Sequence, residues 1–248
     1  MITKTNFYIQ VTFVCFCGFA ALLQCSQKPD LYVRDQLDTI LKKENVSADE
    51  IINHLETNFE LKSFFDGSNG VLCANTIRTH VQKSFKTLED QYKFFDIDHI
   101  DVGGISAKEF MRLFIILHDI GKPFALALGD RNLQHEYSAK IIKSVMKRLG
   151  FNNQTITLAI TFVENDIMGD IRQEKISAQK GLEKLAEQAG KTVLSIKDFF
   201  TLILLFFIAD AGSYQSVRNL DAFDYVDGQL IIKSETYKQI KEAIFSSM

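Results

Sequence analysis

Four residues with metal-ligating side chains fall in order along this chain: His80, the adjacent pair His118-Asp119, and Asp210. Imidazole nitrogen and carboxylate oxygen together suit zinc, manganese, iron or magnesium, each to a different degree. Asp210 follows the nearly unbroken apolar run Phe199 to Ala209. A carboxylate set against apolar surface must find a partner, bind a metal or take up a proton. The other outcome is escape to water near Gly212. His118-Asp119 leads into Ile120-Gly121-Lys122-Pro123, where Gly121 allows a sharp turn and Lys122 can place a point charge on a phosphate. Taken alone, the pair also reads as a polar helix end facing solvent. His80 lies beside an apolar helical stripe, where a lone histidine is more often a core residue than a ligand. Each residue is ambiguous by itself; the four in this order point to one divalent metal.

Further residues could serve such a centre. His135 is in line with Ala139, Ile142 and Leu149, which predicts that it points inward from the first turn of its helix. The helix dipole there disfavours its protonated form, leaving a neutral ring able to ligate metal or contact phosphate. Arg131 is a second candidate phosphate contact. Glu164 and Asp166 read as a solvated helix end, with ligation of a second metal as the alternative.

The elements that must position these residues are helical. Leu31, Val33, Leu37, Ile40 and Leu41 form one amphipathic stripe; Ile51, Ile52, Leu55, Phe59 and Leu61 form another. Asp66-Gly67-Ser68-Asn69-Gly70 is a turn cluster. A long helix is predicted from about Asn75 to Phe95, carrying His80. Ser106 with Glu109 has capping-box form and opens a helix ending at His118-Asp119, with Gly121 and Pro123 as its stop. Asn132 or a neighbour starts the next helix, which Gly150 terminates. A short helix follows from Asn153 to about Asp166, then a charged, solvent-facing one from Ile176 to Ala189. Ser195 and Asp198 cap the apolar run, whose lack of a polar face predicts a central core helix. Asp227-Gly228 between Tyr225-Val226 and Leu230-Ile231-Ile232 predicts a small hairpin, and Ser234 caps a last helix. The expected fold class is all-α.

Composition narrows the partners. The 248 residues are 46% hydrophobic and 24% charged, ordinary globular usage with room for a sizeable core. The net charge of −3, with basic residues scattered, gives no electrostatic case for an extended nucleic-acid footprint and leaves a short or single-nucleotide substrate open. Cys15, Cys17 and Cys25 lie in the N-terminal apolar stretch and Cys73 alone lies in the body, so no disulfide framework follows. Val11 to Leu23 has the length of a signal-peptide core and is short for a bilayer span of roughly 20 residues. Leu22-Leu23-Gln24-Cys25 resembles a bacterial lipoprotein signal, with Gln24 where a small residue is usual. Residues 1–27 are therefore expected to export or anchor the chain; the alternative is a buried first helix of a cytoplasmic protein.

Three segments together carry a family resemblance: Asn75-Thr76-Ile77-Arg78-Thr79-His80, Leu117-His118-Asp119-Ile120-Gly121-Lys122-Pro123 and Ile208-Ala209-Asp210-Ala211. They resemble the H…HD…D pattern of the HD superfamily of metal-dependent phosphohydrolases. Gln134-His135-Glu136-Tyr137-Ser138-Ala139 with Arg148-Leu149-Gly150-Phe151 is similar to the HD domain of tRNA nucleotidyltransferases, although no nucleotidyltransferase head precedes it here. In the nearest relatives a histidine often stands where Asp166 does.

The resemblance implies an HD-type helical bundle over residues 70–215, after a helical extension at 28–69 and before a hairpin and helix at 216–248. It also implies His80, His118, Asp119 and Asp210 as ligands of one divalent ion (Mn, Fe, Mg, Zn, Co or Ni). The expected activity is hydrolysis of a phosphomonoester or phosphodiester of a nucleotide-type substrate by metal-activated water. Asp119 would orient that water or take its proton, with Lys122 and His135 stabilising charge on the phosphate and Arg131 contacting it. The alternative is a non-catalytic HD module that binds a nucleotide or protein and keeps a structural metal.

Overall fold

The computed structural model of the chain describes residues 28–68, 70, 76–164, 166–214 and 223–246. Its helices are α1 (Leu31–Leu41), α2 (Ala48–Phe59), α3 (Lys62–Phe65), α4 (Ile77–Gln91), α5 (Ala107–Leu117), α6 (Lys122–Ala127), α7 (Gln134–Arg148) and α8 (Asn153–Glu164). They continue with α9 (Ile167–Arg172), α10 (Ala178–Ala189) and α11 (Ile196–Gly212). A hairpin of β1 (Phe223–Val226) and β2 (Gln229–Ile232) precedes α12 (Glu235–Phe245). Helix dominates and the only sheet among the described residues has two strands, as the all-α expectation required. Residues 1–27, with Cys15, Cys17 and Cys25, lie outside the described residues, as does Cys73. No helix among the described residues is long and apolar enough to cross a membrane.

The chain divides into two compact units, each drawn from two segments. One takes the described residues up to Gln82 together with Ile116–Glu164; the other takes Lys83–Ile115 and the described residues after Glu164. Two of the dividing points fall inside α4 and α5, and the third lies between α8 and α9.

In the first unit, Ser47 and Glu50 form a reciprocal cap that starts α2. Its stripe of Ile51, Ile52, Leu55 and Phe59 is wholly buried. Helix α1 contributes Val33, Leu37 and Leu41, whereas Leu31 is exposed and drops out of the stripe. The Asp30 amide donates to the Arg148 carbonyl at 2.9 Å, and the Arg34 guanidinium sits 3.5 Å from the Phe151 ring centroid. Both contacts seat α1 where α7 ends. That end is a left-handed cap: Gly150 has φ +72° and the Phe151 amide donates to the Met146 carbonyl at 3.0 Å.

In the second unit, α11 supplies Phe199, Phe200, Leu202, Ile203 and Leu205 to the core, and Ser195 caps it through the Asp198 amide. Helix α10 is not fully solvent-facing, because Gly181, Leu185, Gln188 and Ala189 form a buried face. It begins at Ala178, two residues later than its pattern suggested, where the Ser177 side chain accepts from the Lys180 amide. The hairpin turns at Asp227 (φ 51°) and Gly228 (φ 85°), both left-handed as a two-residue type I′ loop demands. Buried Gln91 clamps it, donating to the Gly228 carbonyl and accepting from the Leu230 amide, each at 3.1 Å.

A part-buried ion pair also holds this unit. Arg112 is 2% exposed, and its guanidinium donates twice to the Glu89 carboxylate, both at 2.8 Å. Removing one member of such a pair leaves the other charge uncompensated. Glu89→Ala is therefore expected to lose about 3 kcal/mol of stability. Arg112→Met, which keeps an apolar stem and deletes the charge, should lose less, and urea unfolding midpoints of the two variants check the order.

Candidate metal centre

Local sequence sets each member of the site. The Thr76 hydroxyl accepts from the Thr79 amide at 3.2 Å, and its carbonyl accepts from the His80 amide at 3.1 Å, so α4 starts just before His80. That places His80 in the first turn, 2% exposed. Ser106 and Glu109 cap α5 reciprocally, as their spacing predicted, and α5 ends at Leu117. His118-Asp119 follows in a tight turn, closed by Ile120 amide to Leu117 carbonyl (3.1 Å) and Lys122 amide to Asp119 carbonyl (3.0 Å). Pro123, expected only as a stop, also starts α6, where a missing N–H costs nothing.

Gly121 binds this turn to α7. Its amide donates to the Ser138 hydroxyl at 3.0 Å, with both groups buried. A Cβ on Gly121 would lie 2.2 Å from the Ser138 nitrogen and 2.6 Å from the Tyr137 carbonyl carbon, so no side chain fits. The Phe124 and Tyr137 rings meet edge-on at 4.4 Å beside this contact.

The ligand atoms converge. His80 Nε2 lies 3.1 Å from Asp119 Oδ2, His118 Nε2 lies 3.4 Å from the same oxygen, and the two nitrogens are 3.4 Å apart. His118 and Asp119 are 4% and 7% exposed. With Asp210 included, each of the four residues offers one ligand atom within 4.8 Å of the others. Ligands held about 2.1 Å from one ion stand roughly 3.0–3.4 Å apart when adjacent, so the His80, His118 and Asp119 separations suit a shared divalent metal. Two imidazoles and two carboxylates are also a donor set that such ions accept.

The charge balance at Asp119 supports this reading. Burial disfavours its carboxylate, yet the charges of His118 and Lys122 and hydrogen bonds from His118 and His80 outweigh burial. The carboxyl is held well below its usual range, ionised and ready to accept a cation. A cation already touches it: Lys122 Nζ donates to Asp119 Oδ2 at 2.5 Å. Sequence spacing suggested that Lys122 serves a phosphate; it did not reveal this contact.

Other expected members stand differently. His135 is exposed, with its Nε2 3.2 Å from the Gln134 side-chain nitrogen, so the inward orientation is corrected. A 3₁₀ turn at Arg131–Leu133 runs directly into α7, whose full burial begins only at Ser138-Ala139; in its first turn His135 and Glu136 face solvent while Gln134 and Tyr137 are half-buried. Arg131 is also exposed and donates to the Gly70 carbonyl at 2.9 Å. Asp166 is the N-cap of α9, accepting from the Gly169 amide at 3.0 Å, and Glu164 is exposed. Asp210 is half-buried in α11, which continues to Gly212 rather than ending at the carboxylate. Ser138 and Thr76 were missed by the sequence reading. A serine beside an alanine on the inner face of α7, opposite a glycine turn, was the available signal for Ser138. Compared with family models, with curated proteins and with solved structures, the chain matches none.

Proposed function

We propose that the protein is an HD-type metal-dependent phosphohydrolase acting on a phosphomonoester or phosphodiester of a small, nucleotide-type substrate. The observation that carries this reading is the buried His80–His118–Asp119 convergence, with an Asp210 ligand atom in the same group. A divalent metal held by these four residues supplies Lewis acidity toward a phosphoryl oxygen and lowers the pKa of a bound water. His80 and His118, both buried, hold their rings rigidly toward Asp119 Oδ2. Asp119 acts chiefly by ligation and by orienting the attacking water, since a carboxylate stabilised this strongly is a weak proton acceptor. Lys122 neutralises Asp119 in the resting protein; with a cation held by that carboxylate, its ammonium would be left to contact the substrate phosphate. His135 and Arg131, exposed on neighbouring turns, meet the outer part of the substrate.

Lys122 gives this reading a signature. Lys122→Met removes the cation that competes for Asp119, so metal affinity should rise by several-fold while kcat falls by about 10–100-fold. Calorimetric metal titration and steady-state kinetics check the two halves separately.

The general test is to strip the protein with chelator and reload it with Mn, Fe, Mg, Zn, Co or Ni. Hydrolysis is then screened over nucleoside monophosphates, cyclic nucleotides and dinucleotides. Metal-dependent turnover supports the proposal. Stoichiometric metal with no turnover on any of these would favour the non-catalytic binding module, and absence of metal binding would overturn both.

A further inference from the structure

The second unit contains a cavity of about 310 Å³ whose lining includes Phe94, Phe245 and Tyr237 together with Lys197 and Lys241. Tyr237 is 4% exposed. Its ring lies against Phe200, with centroids 6.2 Å apart at 25°, a contact phenylalanine would make equally well. Its hydroxyl has no hydrogen-bond partner among the described residues. Burial alone pushes the phenol up to about 12, so it stays protonated and able to donate. A buried hydroxyl without a partner is costly unless something else meets it. Tyr237 is one of the residues that line the cavity.

The lining carries two carboxylates as well as two ammonium groups, but both carboxylates are met by His99: Asp198 accepts from the Ser195 hydroxyl at 2.7 Å and lies 3.2 Å from His99 Nε2, and Asp96 lies 3.5 Å from His99 Nδ1. The Lys197 ammonium is 5.4 Å from the Phe245 centroid, and neither it nor Lys241 pairs with a carboxylate among the described residues. Two lysines lacking a carboxylate partner beside an aromatic-walled hollow suit a ligand with an anionic head and an apolar body.

We infer that this cavity is a second binding site for a small amphipathic organic anion, distinct from the metal centre. The apolar body lies among Phe94, Phe245 and the Tyr237 ring. A polar group on it accepts from the Tyr237 hydroxyl, and Lys197 and Lys241 hold the anionic head.

The test uses the full chain and 1-anilinonaphthalene-8-sulfonate, with uncharged N-phenyl-1-naphthylamine as the control, followed by fluorescence titration. The sulfonate should bind saturably at one site per chain and more tightly than the neutral probe. Tyr237→Phe should weaken sulfonate binding by about fivefold, the effect of one hydrogen bond. K197Q combined with K241Q should remove the preference for the anion. Circular dichroism confirms that each variant is folded, and the conservative ring in Y237F protects against a packing artefact. Absence of saturable binding, equal affinity for the two probes, or sulfonate affinity unchanged in both variants would overturn the assignment.

Discussion

Asp119→Ala is expected to remove tightly bound metal and to lower hydrolytic turnover by more than about 100-fold, beyond the loss typical of residues that only support a ligand. The reason lies in how many contacts one oxygen serves. Oδ2 is approached by His80 Nε2, His118 Nε2 and Lys122 Nζ at 3.1, 3.4 and 2.5 Å. Removing it deletes a ligand and the anion around which three nitrogen groups are arranged. It also leaves cationic or polar groups crowded without their counter-charge. Asp119→Asn keeps the shape but not the charge, so it should retain the fold and still lose the metal. Metal content by elemental analysis, set beside turnover, separates the two effects. An alanine variant that keeps both its metal and its activity would remove Asp119 from the site.

Gly121→Ala is expected to be the most damaging single-methyl change near the site. The new Cβ would meet backbone atoms, with the Ser138 nitrogen at 2.2 Å and the Ser138 Cα at 2.9 Å, so no flexible side chain can give way. The turn after Asp119 and helix α7 must then separate, breaking the Gly121 amide bond to the Ser138 hydroxyl. Overpacking of this kind costs about 1–3 kcal/mol. In a chain of this size that lowers Tm by roughly 3–10 °C. Metal affinity should fall as well, because Asp119 lies two residues away on the displaced turn. Ser138→Ala, which loses only the hydrogen bond, should lose about 1 kcal/mol and keep its metal. Differential scanning calorimetry with and without added manganese checks both.

Much of the helical framework could be read from local chemistry. Ser106 with Glu109, Ser195 with Asp198 and Ser234 each cap a helix where spacing placed them. Asp227-Gly228 turns the hairpin because both positions adopt positive φ. The candidate quartet was legible for a different reason: polar residues beside apolar stripes need a partner, and His80, His118 and Asp119 supply one another.

What sequence could not show depends on three-dimensional neighbours. His135 shares a helical face with Ala139 on paper, but it sits at the start of α7, where that face has not yet reached the core, and it is exposed. Lys122 reads as a phosphate ligand because nothing local indicates that its ammonium reaches Asp119 three residues back. Asp166 reads as a carboxylate near a helix end, and only the Gly169 amide reveals that it begins the next helix. The Ser138 hydroxyl matters solely because Gly121 approaches it from a distant part of the chain.

The most direct test of the metal centre is a crystal structure of the manganese-reconstituted protein, with diffraction recorded on both sides of the manganese absorption edge. One anomalous peak per chain is expected. It should lie about 2.0–2.3 Å from His80 Nε2, His118 Nε2 and an Asp119 oxygen, with Asp210 as the fourth protein ligand. A peak elsewhere, or no peak with Lys122 still on Asp119 at saturating manganese, would contradict it.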